Sequence, residues 1–153
     1  MAKSVSRSWR RMALVFLLAA VLVWSGIAIS PAQAGTRLRS AMVPLINDDR
    51  TDKDRAALKL DLELSRYAKR HSRDMADEGE IFHTEDLAAK LKGKSWSIAG
   101  ENVGMGPSLS DLEDAFMAST PHRRNILNRE FDHVAVGVVE SQGNFWVTVI
   151  FYG

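Results

Sequence analysis

Two neighbouring segments near the C-terminus constrain the fold more than any other part of the chain. His133-Val134-Ala135-Val136-Gly137-Val138-Val139-Glu140 and Phe145-Trp146-Val147-Thr148-Val149-Ile150-Phe151-Tyr152 are rich in β-branched and aromatic residues, and they flank the turn-forming Ser141-Gln142-Gly143-Asn144. The spacing predicts a β-hairpin. Neither segment alternates apolar with polar. Both are apolar on both faces, so the sheet they belong to must be covered on each side, and the preceding helical segments are there to cover it. The expected class is α+β, an α–β–α sandwich with a mainly antiparallel central sheet and a C-terminal β-hairpin.

The clearest helix runs from about Asp61 to Glu78. Leu62, Tyr67 and Met75, with Leu64, Ala68, His71 and Ala76, form an apolar stripe at helical spacing. Arg66, Lys69, Arg70, Arg73 and Asp74 take much of the other side, and Gly79 is a stop. Upstream, Met42, Val43, Leu45 and Ile46 give a helical pattern over about Ser40 to Asn47. Gly35 to Ser40 reads as a tether before it, and Asn47 to Asp54 as a polar, turn-like run after it. Residues 80–107 read as irregular, punctuated by Gly93, Gly100, Gly104, Gly106 and Pro107. Ser110-Asp111-Leu112-Glu113 fits a capping box for a helix through about Ala118. Pro121 keeps that helix from running on, and Arg123 to Leu127 forms a further turn.

The N-terminus carries an export signature. Lys3, Arg7, Arg10 and Arg11 precede an apolar run from Met12 to about Ile29, and Pro31-Ala32-Gln33-Ala34 ends in the small-x-small pattern of a cleavage site. Residues 1–34 are therefore expected to be a signal peptide cut after Ala34, with residues 35–153 forming one secreted or extracytoplasmic domain. The alternative is an uncleaved segment that anchors the domain. Arg10-Arg11 is only a weak pointer to twin-arginine export.

Cleavage alters the charge. Of 20 Lys and Arg, four lie in residues 1–34, which leaves 16 bases against 19 acids and a formal charge of −3. That balance gives no electrostatic reason to expect nucleic acid as a partner, or stable membrane insertion after cleavage. With no cysteine, the chain is disulfide-free and cannot use thiol chemistry, a thiolate metal site or a cysteine-linked lipid. Packing alone must hold the domain together.

Three stretches set titratable groups beside glycine or proline turns. They are Ile81-Phe82-His83-Thr84, Ala99-Gly100-Glu101-Asn102-Val103-Gly104, and Phe116-Met117-Ala118-Ser119-Thr120-Pro121-His122-Arg123-Arg124-Asn125-Ile126-Leu127. Two imidazoles and a carboxylate can bind a divalent cation and leave a position for water. Glu101 could instead orient one imidazole from behind. The plain structural reading has the same groups pinning loops over the sheet. Ser119 and His122 are three apart, but Pro121 lies between them and no nucleophile-elbow motif is present. His71 reads as a packed helix residue and His133 as a solvated strand-edge residue. Arg123 reads as a tie to Glu101 or a backbone carbonyl, Asn102 as a hydrogen-bonding cleft wall, and Trp96, Trp146, Phe151 and Tyr152 as mostly core.

Taken in order, these stretches resemble the CAP superfamily, the SCP or pathogenesis-related-1 type of secreted domain, in its compact bacterial form. The resemblance rests on Asn47-x-x-Arg50, Tyr67-Ala68-x-x-His71-Ser72-x-Asp74-Met75-Ala76, His83, Gly100-Glu101-Asn102-Val103, Phe116-Met117-x-Ser119-x-x-His122-Arg123-x-Asn125-Ile126-Leu127, and Val136-Gly137-Val138 with Trp146 and Phe151. It implies an α–β–α sandwich with a cleft lined by two histidines and two acids. His83 and His122 match the histidines and Glu101 the first acid, whereas Ser119 stands where larger relatives carry the second. The implied cleft is His83, Glu101, Asn102, Ser119 and His122, with His83 and His122 as ligands for one divalent cation, zinc or magnesium. The implied function is an extracellular or cell-envelope binding module for a lipid, a cell-wall component or another extracellular ligand. The alternative is a metal-dependent, protease-like hydrolase with Glu101 as its catalytic base.

Overall fold

The computed structural model describes residues 31–153, without the side chains of 31–35 and 40. The expected export segment up to residue 30 lies outside the described residues. The order of elements is α1 (Pro31–Asp52), β1 (Lys59–Leu60), α2 (Leu64–Glu78), α3 (Leu87–Lys90), β2 (Ala99–Gly106), α4 (Leu109–Ala118), α5 (Thr120–Ile126), β3 (His133–Ser141) and β4 (Asn144–Tyr152). The four strands form one sheet in the order β1-β3-β4-β2, parallel only between β1 and β3. Among the described residues no helix is long and apolar enough to cross a membrane.

The hairpin forms as expected. Ser141 pairs with Asn144 across the two-residue turn Gln142-Gly143, whose φ angles of +51° and +76° suit the twist of the flanking strands. Its two faces serve two cores. Val134, Val136 and Val138, opposite Phe151, Val149 and Val147, pack against Met42 and Ile46 of α1, Leu112 and Phe116 of α4, and Ile126 of α5. Ala135, Val139, Trp146, Ile150 and Tyr152 face α2, meeting Leu64, Ala68, Met75 and Ala76. The sheet is thus covered on both sides, and the α–β–α sandwich stands.

On the α2 side the helix lies directly on a strand. A Cβ on Gly137 would fall 2.1 Å from the carbonyl carbon of Ala68, so only glycine admits this approach. The contact is wet with hydroxyls. Ser65 Oγ accepts from Val136 N at 3.1 Å, and Ser72 Oγ donates to Gly137 O at 3.1 Å and lies in hydrogen-bond contact with Thr148 Oγ1 at 2.9 Å. α2 starts at Leu64, where Asp61 Oδ1 accepts from Leu64 N, and ends on Gly79 in the left-handed region.

Several local expectations change. α1 takes in Gly35–Ser40, read as a tether, and runs through the polar stretch to Asp52. Proline is tolerated at its first position. Its polar end is helical because tertiary bonds use it. Asn47 exchanges two hydrogen bonds with the backbone of Leu58, and Arg50, fully buried, donates to the carbonyls of Ala56, Ile126, Asn128 and Phe131. Residues 99–106 are a regular edge strand, not an irregular loop. A Cβ on Gly104 would meet Leu112 and Phe116 at 2.9 Å, so this glycine marks close helix packing and not a turn. The cap of α4 is Ser108, which accepts from Asp111 N at 3.0 Å, two residues before the predicted Ser110. Glu113 points into the interior instead, with 3% exposure. His133 is flanked by β1 and β4 and stacks on Tyr152 at 4.8 Å, so it is not at a sheet edge. Trp96 is 38% exposed, outside the core, while Trp146, Phe151 and Tyr152 are buried.

Candidate functional site

The register of β2 decides how the site is built. Glu101 pairs with Ile150 and so emerges on the α2 side, whereas Asn102 pairs with Val149 and emerges toward α4 and α5. Because β2 is the outer strand, the two faces meet along its free edge. Adjacent residues therefore hold the two histidine-bearing segments from opposite sides.

On the α2 side, Glu101 accepts from His83 Nδ1 at 2.7 Å and Thr84 N at 2.9 Å through Oε2, and from Thr84 Oγ1 at 2.7 Å through Oε1. The Thr84 proton is committed to Glu101, so Tyr67 is the donor in its 2.9 Å contact with Thr84 Oγ1. Burial pushes the Tyr67 phenol up from its ordinary range, and the charge of Glu101 reinforces the shift. The Glu101 side chain is 5% exposed and saturated with donors, while that of His83 is 61% exposed. His83 spends Nδ1–H on the carboxylate, which leaves Nε2 with a lone pair outside this bond. That makes Glu101 the partner that orients an imidazole.

On the other side, Asn102 is fully buried and donates from Nδ2 to the backbone carbonyl of His122 at 3.1 Å. Asn125 Nδ2 donates to Asn102 Oδ1 at 2.8 Å and to the Glu101 carbonyl at 3.2 Å, clamping α5 to β2. The His122 ring rests on Phe116 at 4.9 Å. Burial, and then the charge of His83, push the His122 imidazole below its ordinary value. Ser119 is the joint between α4 and α5, and no hydrogen bond from its hydroxyl to His122 is found among the described residues. Arg123 Nη1 donates to the Met117 carbonyl at 2.6 Å, so it ties off the end of α4 and not Glu101. His71 is buried and bonded to Thr148 Oγ1 at 3.1 Å, and it lines a hollow of about 280 Å³ together with Tyr67, Phe82 and His83.

No group of three or more His, Cys, Asp or Glu side chains suited to a metal occurs among the described residues. Glu101 stands behind His83, bonded to its Nδ1. Tyr67, Thr84 and Asn125, which carry the positioning bonds, were not singled out from sequence. Tyr67 and Asn125 did fall within the ordered motifs, and Thr84 sits next to His83.

Comparison with known proteins follows the same lines. The sequence profile of the family described as the cysteine-rich secretory protein family (CAP) matches residues 43–151. The Bacillus subtilis protein YkwD is 36% identical over 112 residues, covering 69% of this chain and 43% of that protein. An extracellular SCP-domain protein from Bacillus anthracis superposes with a TM-score of 0.68 at 26% identity, covering 82% of this chain and 44% of that one. A cysteine-rich secretory protein from Staphylococcus aureus gives a TM-score of 0.66 at 22% identity, covering 82% and 41%. This chain therefore spans less than half the length of each of these relatives.

Proposed function

We infer the role of this chain from the premise that it belongs to the cysteine-rich secretory protein (CAP) family. It is an extracytoplasmic binding module, exported by residues 1–34 and cut after Ala34, whose ligand is received at His83 and His122. The described SCP relative from Bacillus anthracis is an extracellular protein, which supports that location. Cleavage at Ala34 would shorten α1 and leave Met42, Ile46 and Arg50 to dock it.

One observation carries the reading: Glu101 is buried behind an exposed His83 and already accepts three hydrogen bonds. A carboxylate so engaged fixes a neighbour's tautomer and angle, which serves binding. General-base work on water would need a water to reach this buried carboxylate. The cation that two imidazoles suit is zinc, with magnesium the poorer match to nitrogen donors. When bound, it would supply a Lewis-acidic point for an oxygen of the ligand.

Native mass spectrometry with metal analysis of the exported protein tests this. Retention of one zinc or of a co-purified ligand, lost in H83A and in H122A, is the expected result. Turnover of a peptide or ester substrate that disappears in E101Q would replace this reading with the hydrolase. An N-terminal sequence other than Gly35-Thr36-Arg37-Leu38 on secreted material would refute the cleavage site.

A further inference from the structure

The charges of α2 are arranged against the helix that carries them. A helix favours acids near its N-terminus and cations near its C-terminus. Here Arg66, Lys69 and Arg70 occupy the first half, and Asp74, Asp77 and Glu78 the second. Arg66 and Arg70 also stand one turn apart, a like-charge spacing that weakens a helix. Arg70 does have Asp74 one turn on, but Arg66 has no acid at that spacing within α2.

Opposite this face the chain brings three lysines to one short turn. Leu91 is fully buried against Leu64 and Ala68, which pins the turn after α3, and Lys90, Lys92 and Lys94 stand around it. Lys94 is already engaged, 2.9 Å from both Asp61 Oδ2 and Glu63 Oε2, and it ties the turn to the start of α2. Arg66, Arg70, Lys90 and Lys92 are exposed and form no salt bridge among the described residues. They line a groove of about 270 Å³ in which Glu63, bound to Lys94, is the single acid. Tyr67 holds two of them close together: Lys90 Nζ is 5.0 Å and the Arg70 guanidinium carbon 5.8 Å from its ring centroid.

We propose that this groove binds a phosphate group. Four uncompensated cations around one hollow exceed what a single carboxylate would neutralise. Arginine adds a planar fork of donors and lysine a mobile one, the combination that phosphate oxygens accept. The negative charge of the domain conceals this, because net charge does not describe a local field. None of His83, Glu101 or His122 lines the groove, so the proposal holds whatever the cleft beside it receives. The phosphate is carried either by a soluble phosphoester or by a lipid headgroup, and the chemistry of capture is the same.

The test titrates the exported protein with inorganic pyrophosphate by calorimetry, and with phosphatidylglycerol-containing vesicles by co-sedimentation. Each is repeated on the R70Q/K92Q double variant and on R73Q, an exposed residue of α2 outside the groove. The expected result is binding to at least one probe that rising salt weakens and that the double variant loses by about tenfold or more, with R73Q unchanged. Pyrophosphate binding assigns a soluble ligand, and vesicle binding alone assigns a headgroup. Binding to neither probe, equal loss in R73Q, or citrate binding as tightly as pyrophosphate overturns the proposal.

Discussion

His83 Nδ1 and Glu101 Oε2 are 2.7 Å apart, yet one side chain is 61% exposed and the other 5%. The pair spans the boundary between solvent and the sheet edge, so the buried member sets the geometry of the exposed one. E101Q puts an amide where three donors converge, and at least one donor must lose its acceptor. Its zinc affinity should fall by roughly 10–100-fold, the range for loss of an orienting partner. H83A and H122A should abolish zinc binding, and H71A should leave it intact. Zinc titration by competition with a chromophoric chelator measures all four. Because the His122 imidazole is held below its ordinary value of 6.5, that ring stays neutral and able to ligate at a lower pH than a free imidazole would.

Arg50 is the next point of leverage. Its guanidinium, fully buried, gathers carbonyls from the end of α5, the segment after it and the loop after α1. R50M keeps the aliphatic stem and strands those acceptors, and should cost roughly 3–5 kcal/mol, as for breaking a buried charged network. R50K retains the charge without the fork and should also destabilise. Urea unfolding decides it; an R50K midpoint matching the native protein would show that the charge, not the fork, is what matters.

G137A tests the helix–sheet contact. The added methyl would meet backbone atoms of Ala68 and Lys69 at 2.1–2.2 Å, and backbone cannot rotate aside as a side chain can. The variant should lose at least ~1–3 kcal/mol. F151A, at a fully buried position in the other core, should lose ~3–5 kcal/mol by leaving a cavity. A loss below about 1 kcal/mol in either would contradict the packing described.

The ease of reading each element from sequence tracked which interactions define it. β3 and β4 announce themselves because burial dictates nearly every side chain in them, and α2 because its buried residues fall on one helical stripe. β2 did not, because Gly104 is there to admit Leu112 and Phe116, and a glycine demanded by packing looks the same as one demanded by a turn. The end of α1 was hidden for a related reason: Asn47 and Arg50 are polar but serve partners beyond the predicted turn, Leu58 for the one and carbonyls as distant as Ile126 for the other. In the site, the His83, Glu101 and His122 positions were legible through the ordered motifs. Thr84 and Tyr67 were not, as their roles depend on a strand register that no local spacing encodes.

Glu113 yields the last prediction. It is 3% exposed and lies beside Asp49, whose carboxylate favours a proton on Glu113. Burial first, and then the charge of Asp49, push its carboxyl from 4.5 up to about 8. The folded protein therefore keeps a proton here that the unfolded chain releases above about pH 4.5. Between pH 4.5 and about 8 the folded state binds the extra proton, so stability must fall as pH rises through that window. The slope is at most ~1.4 kcal/mol per pH unit for one proton. Below pH 4.5 both states are protonated and the contribution is constant; above about 8 both are ionised and it is constant again. E113Q mimics the protonated form and does not titrate. It should match the native protein in urea at pH 4, exceed it at pH 8, and show a flatter profile between. An E113Q profile parallel to the native one would mean that Glu113 is ionised in the folded protein.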